Sequence, residues 1–142
     1  AIETESLLID RAAMEFVRRP ESFDVVVASN LFGDILTDLA AIVVGSMGLA
    51  ASANIAIERK NLSMFEPVHG SAPDIAGQGI ANPLAAILSA VMLEHLELPR
   101  AAASVHAAVK MLLAEGELLP PDLGGTARTE VVGDRVAALV GG

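Results

Sequence analysis

Asp34 and Asp38 stand four residues apart in a segment of helical periodicity, so both carboxylates project from one helix face. Like charges at that spacing destabilise an isolated helix unless a cation neutralises them, and a hard divalent ion such as Mg²⁺ or Mn²⁺ suits a set of oxygen ligands. The commoner outcome for such a pair is a solvated acidic helix edge, and spacing alone does not separate the two. Asp10 is a third carboxylate for such an ion, although near a helix start it more often simply complements the helix dipole. A second group is His69-Gly70-Ser71-Ala72-Pro73-Asp74, which combines a flexible glycine, backbone N–H groups at the start of a helical turn and a carboxylate. Such a turn can hold a phosphate on its amides while the Asp accepts from ribose hydroxyls, though a plain loop is the commoner reading. Neither a GxGxxG nor a Walker loop occurs. His95 and His106 fall on helical segments without a spaced ligand partner and read as surface or interface residues. No Gly-x-Ser-x-Gly elbow is present, which argues against acyl transfer.

The 142 residues carry a net charge of −9 and are 53% hydrophobic but only 3% aromatic, so the core must be aliphatic. Phosphate-backbone binding needs clustered cations; this chain has Lys60 and Lys110 as its lysines and reads as an acidic enzyme rather than a nucleic-acid binder. The absence of cysteine removes disulfides, thiolate nucleophiles and Cys zinc sites, and fits a cytoplasmic protein. Apolar stretches such as Leu39 to Val44 stop well short of the roughly 20 residues a membrane span needs, so a soluble chain is expected. The acidic opening Ala1-Ile2-Glu3-Thr4-Glu5, without an initiator Met, reads as the middle of a longer protein.

These groups need elements to position them. Periodicity predicts a helix over Ser6 to Arg18, and the β-branched run Phe23 to Ala28 predicts a buried strand after it, the order of an α/β layer. Asn30 can cap a helix whose apolar positions Leu31, Ile35, Leu36, Leu39, Ile42 and Val43 carry it to about Val44. Gly45 to Gly48 ends that helix, and Leu49 to Asn61 reads as irregular, with a charged tip at Glu58-Arg59-Lys60. Ser63 to Pro67 suits a strand end. Asn82-Pro83 is a helix start, with Pro83 to Leu98 an apolar helix; Arg100 to Glu115 is another, and a last one follows the Pro120 to Gly125 break as far as about Val140.

Taken whole, Asn30-Leu31-Phe32-Gly33-Asp34-Ile35-Leu36-Thr37-Asp38, then Phe65-Glu66-Pro67-Val68-His69-Gly70-Ser71-Ala72-Pro73-Asp74-Ile75-Ala76-Gly77, resemble the β-decarboxylating dehydrogenases of 3-isopropylmalate, isocitrate, homoisocitrate and tartrate/D-malate. Gly79-Ile80-Ala81-Asn82-Pro83 and Pro121-Asp122-Leu123-Gly124-Gly125-Thr126 extend the resemblance over nearly the whole chain. It implies the C-terminal part of the α/β isopropylmalate dehydrogenase-like fold. Residues 1–45 would belong to the second, dimer-forming domain and 46–142 to the first, cofactor-binding one, with neither complete.

Carried over, the resemblance makes Asp34 and Asp38 metal ligands and Asp10 the ligand offered by the partner subunit of a homodimer. The ion would bridge the 2-hydroxyl and carboxylate of a small 2-hydroxy acid. The cofactor loop would comprise His69 by the adenine, Gly70, Ser71 and Ala72, Asp74 on the adenosine ribose and Asn82 on the adenine edge, with Glu66 lining the cleft. A carboxylate at Asp74 would repel a 2′-phosphate and Ile75 offers no cation, so NAD is expected over NADP.

Family members are far longer, and their substrate arginines and catalytic Tyr and Lys would lie upstream; this chain has no Tyr, and alone it is expected to be inactive. Asn54 to Lys60 looks like tartrate/D-malate members and Ala81 to Ala90 like isopropylmalate and homoisocitrate members. The isopropylmalate type leads. From another class, a non-catalytic helical association fragment remains an alternative.

Overall fold

Apolar periodicity becomes helix where it is longest. The computed structural model describes residues 2–141 and contains α1 (Ile9–Arg18), α2 (Asn30–Val43), β1 (Ala51–Asn54), β2 (Met64–Pro67), α3 (Leu84–Leu88), α4 (Met92–His95), α5 (Pro99–Glu115) and α6 (Thr129–Gly141). The chain falls into two compact units, Ala1–Gly45 and Ser46–Gly142. Among the described residues no helix is long and apolar enough to cross a membrane.

In the first unit α1 packs on α2, and Ala12, Leu36 and Ala41 are buried. The rings of Phe16 and Phe23 meet at 4.5 Å where the chain turns after α1. Glu15 is buried, yet its carboxylate receives Arg19 Nε at 2.9 Å, and that hydrogen bond holds its pKa below the usual carboxylate range. The helix begins at Ile9, later than the expected Ser6. The expected buried strand at Phe23 to Ala28 does not form: the run has no ladder partner among the described residues, and Val25 and Val27 are 84% and 94% exposed. β-branched side chains favour a strand, but only a neighbouring strand can satisfy its backbone. Asn30 does not cap α2 but is its first residue, following Ser29.

In the second unit β1 and β2 form an antiparallel pair with Ala51 opposite Pro67 and Asn54 opposite Met64. β1 corrects the expectation of an irregular Leu49 to Asn61, although the charged tip does form a turn, with Arg59 bonded to Glu97 at 2.9 Å. The expected helix Pro83 to Leu98 is broken. α3 tightens into a 3-10 turn at Ser89–Val91 before α4, and Ser89 Oγ donates to the Ala85 carbonyl at 3.1 Å. α5 ends at Gly116, whose left-handed φ of 68° supplies the usual helix stop. Leu84, Ala108, Val109, Leu112, Val132 and Val136 form the core, so α3, α5 and α6 are held by aliphatic packing.

Candidate functional site

Each unit carries its own group of chemically capable residues. Asp34 and Asp38 are both exposed on α2, while Leu36 between them faces inward at 4% exposure. Asn30 Nδ2 donates to Asp34 Oδ2 at 3.3 Å, which orients that carboxylate, and Thr37 Oγ1 donates to the Asp34 carbonyl at 3.1 Å. Neither carboxylate is ion-paired among the described residues. Two exposed, unneutralised carboxylates one helical turn apart are hard oxygen donors and fit Mg²⁺ or Mn²⁺. Asp10 lies exposed in the first turn of α1, where its Oδ1 accepts the Arg11 N–H at 2.7 Å. No cluster of three ligating side chains forms among the described residues, so the chain by itself does not bring Asp10 to the α2 pair.

The second group follows directly from β2. Val68 N donates to the Ala50 carbonyl at 2.9 Å, fixing the strand end that leads to His69. Glu66, on β2, is exposed; His69 is half-buried, with Nδ1 3.0 Å from the Gly70 carbonyl oxygen. Ala72 has a left-handed φ of 44°, a strained conformation for a residue with a Cβ. Pro73–Ile75 is then a single 3-10 turn. The N–H groups of Ile75, Ala76 and Gln78 bond within this turn, whereas those of Gly70, Ser71 and Ala72 donate to no group among the described residues. The exposed Asp74 carboxylate is likewise unpartnered there, and Gln78 Nε2 steadies its backbone by donating to the Asp74 carbonyl at 2.8 Å.

The far end of the loop is strapped down. Thr129, which opens α6, donates its N–H to the Gly79 carbonyl at 2.9 Å and its Oγ1–H to the Ala81 carbonyl at 2.6 Å. Gly79 is left-handed at φ 66°, and a Cβ there would lie 2.5 Å from the Arg128 guanidinium. Asn82 is half-buried; its Oδ1 accepts the Leu84 N–H at 2.9 Å and its Nδ2 donates to Asp122 Oδ2 at 2.9 Å. Ser46 donates to the same Asp122 oxygen. Ser46 and Asp122 have no site role in the sequence reading, although Asp122 lies in the Pro121 to Thr126 motif, because the bonds that join Asp122 to Ser46 and Asn82 span 76 and 40 positions.

The family model described as isocitrate/isopropylmalate dehydrogenase matches residues 1–136. This chain belongs to that family. Isocitrate/isopropylmalate dehydrogenase relatives include the 3-isopropylmalate dehydrogenase of Novosphingobium aromaticivorans, 53% identical over 142 residues that cover 96% of this chain and 40% of that protein. The isocitrate/homoisocitrate dehydrogenase of Thermus thermophilus is 53% identical over 136 residues, covering 95% of this chain and 40% of that protein. The crystal structure of isocitrate dehydrogenase from Methylococcus capsulatus superposes with a TM-score of 0.86 at 43% identity, over 93% of this chain and 39% of that one. The expected α/β isocitrate/isopropylmalate dehydrogenase-like fold is therefore present, and the chain spans about 40% of the length of the curated relatives it matches.

Proposed function

We propose that this chain is the C-terminal part of an NAD- and Mg²⁺- or Mn²⁺-dependent dehydrogenase that oxidatively decarboxylates a small 2-hydroxy acid. The observation that carries the reading is the loop of unused amides at Gly70, Ser71 and Ala72 next to the unpartnered Asp74, on a chain that also offers the Asp34 and Asp38 carboxylates. In this assignment residues 1–45 belong to the dimer-forming domain and 46–142 to the cofactor-binding domain. The 3-isopropylmalate type leads, with homoisocitrate and tartrate/D-malate as alternatives; relatives named for 3-isopropylmalate, for isocitrate/homoisocitrate and for tartrate lend support to each.

When bound, NAD⁺ supplies the hydride acceptor and the divalent ion supplies electrostatic stabilisation of negative charge on the hydroxy acid. The chain's own residues do the holding. Asp34 and Asp38 present oxygen ligands, and Asn30 restrains the Asp34 rotamer. Asp10 serves a second copy across the homodimer. The free amides of residues 70–72 would hold the cofactor phosphates and Asp74 would accept from the adenosine ribose, while its charge would disfavour a 2′-phosphate. His69 and Asn82 would border the adenine, and Glu66 would line the cleft. The general base and the substrate-binding cations belong to the remainder of the longer protein.

The test is Asp34→Asn in that longer protein, assayed with NAD⁺, Mn²⁺ and a panel of 2-hydroxy acids. Loss of one charged ligand should lower metal-dependent turnover by about 100-fold or more and raise the Mn²⁺ concentration required, with NADH binding unchanged. Full turnover at unchanged Mn²⁺ dependence would remove the metal assignment. A non-catalytic association module is the second reading, favoured by the exposed Val25, Val27, Leu31 and Ile35. Cooperative unfolding of the 142-residue chain as a monomer would count against it.

A further inference from the structure

Three stretches far apart in sequence converge on one carboxylate oxygen. Asp122 Oδ2 accepts from Ser46 Oγ and, at 2.9 Å, from Asn82 Nδ2. Asn82 in turn accepts the Leu84 N–H on Oδ1, so both ends of its amide are engaged, and Ser46 Oγ accepts the Gly48 N–H at 2.9 Å. Gly48 lies against this ring so closely that a Cβ would sit 2.6 Å from Asn82 Nδ2 and 2.7 Å from Asp122 Oδ2. The side chain of Asn82 is thus engaged on both sides by structural bonds at the closing end of the loop. β2 fixes the opening end of that loop and Thr129 fixes Gly79 and Ala81. The direction in which the chain leaves the loop at Asn82 is then set by the bond from Asn82 to Asp122.

We propose that Asp122 is a positioning residue for the dinucleotide: acting through Asn82, and steadied by Ser46, it holds the closing end of the 69–82 loop where the adenosine half of NAD is received. This rests on the cofactor reading above. A carboxylate suits the role because one ionised oxygen can accept two donors at once, with charge-assisted strength. A loop held in its binding form before the ligand arrives loses less freedom on binding, so loosening this anchor should appear in cofactor affinity first.

Because the bond has a direction, it can be inverted. In Asn82→Asp two carboxylates face each other and repel. In the double variant Asn82→Asp with Asp122→Asn, residue 82 still accepts from Leu84 N–H, while the new amide at 122 donates one hydrogen to residue 82 and the other to Ser46 Oγ. Fluorescence titration of NADH into the longer protein would compare the native form, Asp122→Ala, Asn82→Asp and the double variant, alongside melting temperatures and the KM for each substrate. Expected are an NADH Kd about tenfold higher for both single variants, return to within about threefold of native in the double variant, and a change under about twofold in the KM for the hydroxy acid. Should Asp122→Ala fail to fold, Asn82→Asp against the double variant decides. Single variants that bind NADH like the native protein, or a folded double variant as weak as Asn82→Asp, overturn the positioning role and leave the cofactor assignment standing. A native protein that does not bind NADH overturns both.

Discussion

At the scale of one side chain, the proposed preference for NAD rests on Asp74. Its carboxylate stands exposed in a 3-10 turn whose backbone is braced by Gln78, so truncation removes a charge without dismantling the turn. Asp74→Ala in the longer protein should mainly raise the KM for NAD⁺, and Asp74→Lys with Ile75→Tyr should move the ratio of kcat/KM for NAD⁺ and NADP⁺ towards NADP⁺. An unmoved ratio would remove the loop assignment. The turn that carries Asp74 and the exposed Asp34/Asp38 pair on α2 were readable as local patterns: a turn with its carboxylate, and two acids one helical turn apart. Ser46 and Asp122 were not, since a hydrogen bond between residues 76 positions apart exists only after folding has brought them together. Asn82 reads as a helix cap with Pro83 as the first helical residue; α3 instead begins at Leu84 with Pro83 at the cap position, although Asn82 Oδ1 does accept the Leu84 N–H, and the second bond from Asn82 to Asp122 carries no signature in sequence.

Elements were readable in proportion to their length and period. α2, α5 and α6 carry enough apolar repeats to set their own bounds within a few residues. β1 escaped notice because Ala51-Ser52-Ala53-Asn54 has little strand propensity and becomes a strand only through its pairing with β2. The α3 to α4 break escaped for the opposite reason: an unbroken apolar sequence fits one long helix as well as two short ones joined by a tight turn. What holds these short elements is the core that α5 and α6 share. Leu112 is 1% exposed there, and Leu112→Ala should cost about 3 kcal/mol by leaving a cavity, whereas Met111→Ala, at a side chain 51% exposed, should stay within about 0.5 kcal/mol. Urea midpoints at unchanged slope measure both; equal midpoints would show that α5 does not pack as described.

At the scale of the whole molecule the first unit exposes several large apolar side chains beside its charged ones. Val25 and Val27 are 84% and 94% exposed, Leu31 and Ile35 are 66% and 50%, and an apolar hollow of about 250 Å³ is lined by Phe16, Phe23, Val26 and Val43 among others. Phe23 to Ala28 has the β-branched composition of a strand buried on both faces, and the relatives are more than twice as long as this chain. Val27→Asp discriminates the two meanings of that exposure. If Val27 faces water in the longer protein, the substitution belongs with ordinary surface changes, within about 0.5 kcal/mol. If residues beyond this chain pair with the run and cover it, an unpaired carboxylate is forced into an apolar layer, and the loss should exceed about 3 kcal/mol or abolish soluble folding. We expect the second outcome, read as the melting temperature and soluble yield of the longer protein, with Val27→Ile close to native as the control for volume. A native-like Val27→Asp would mean that the run stays unpaired there, and the strand expected from its sequence would then be absent from the longer protein too.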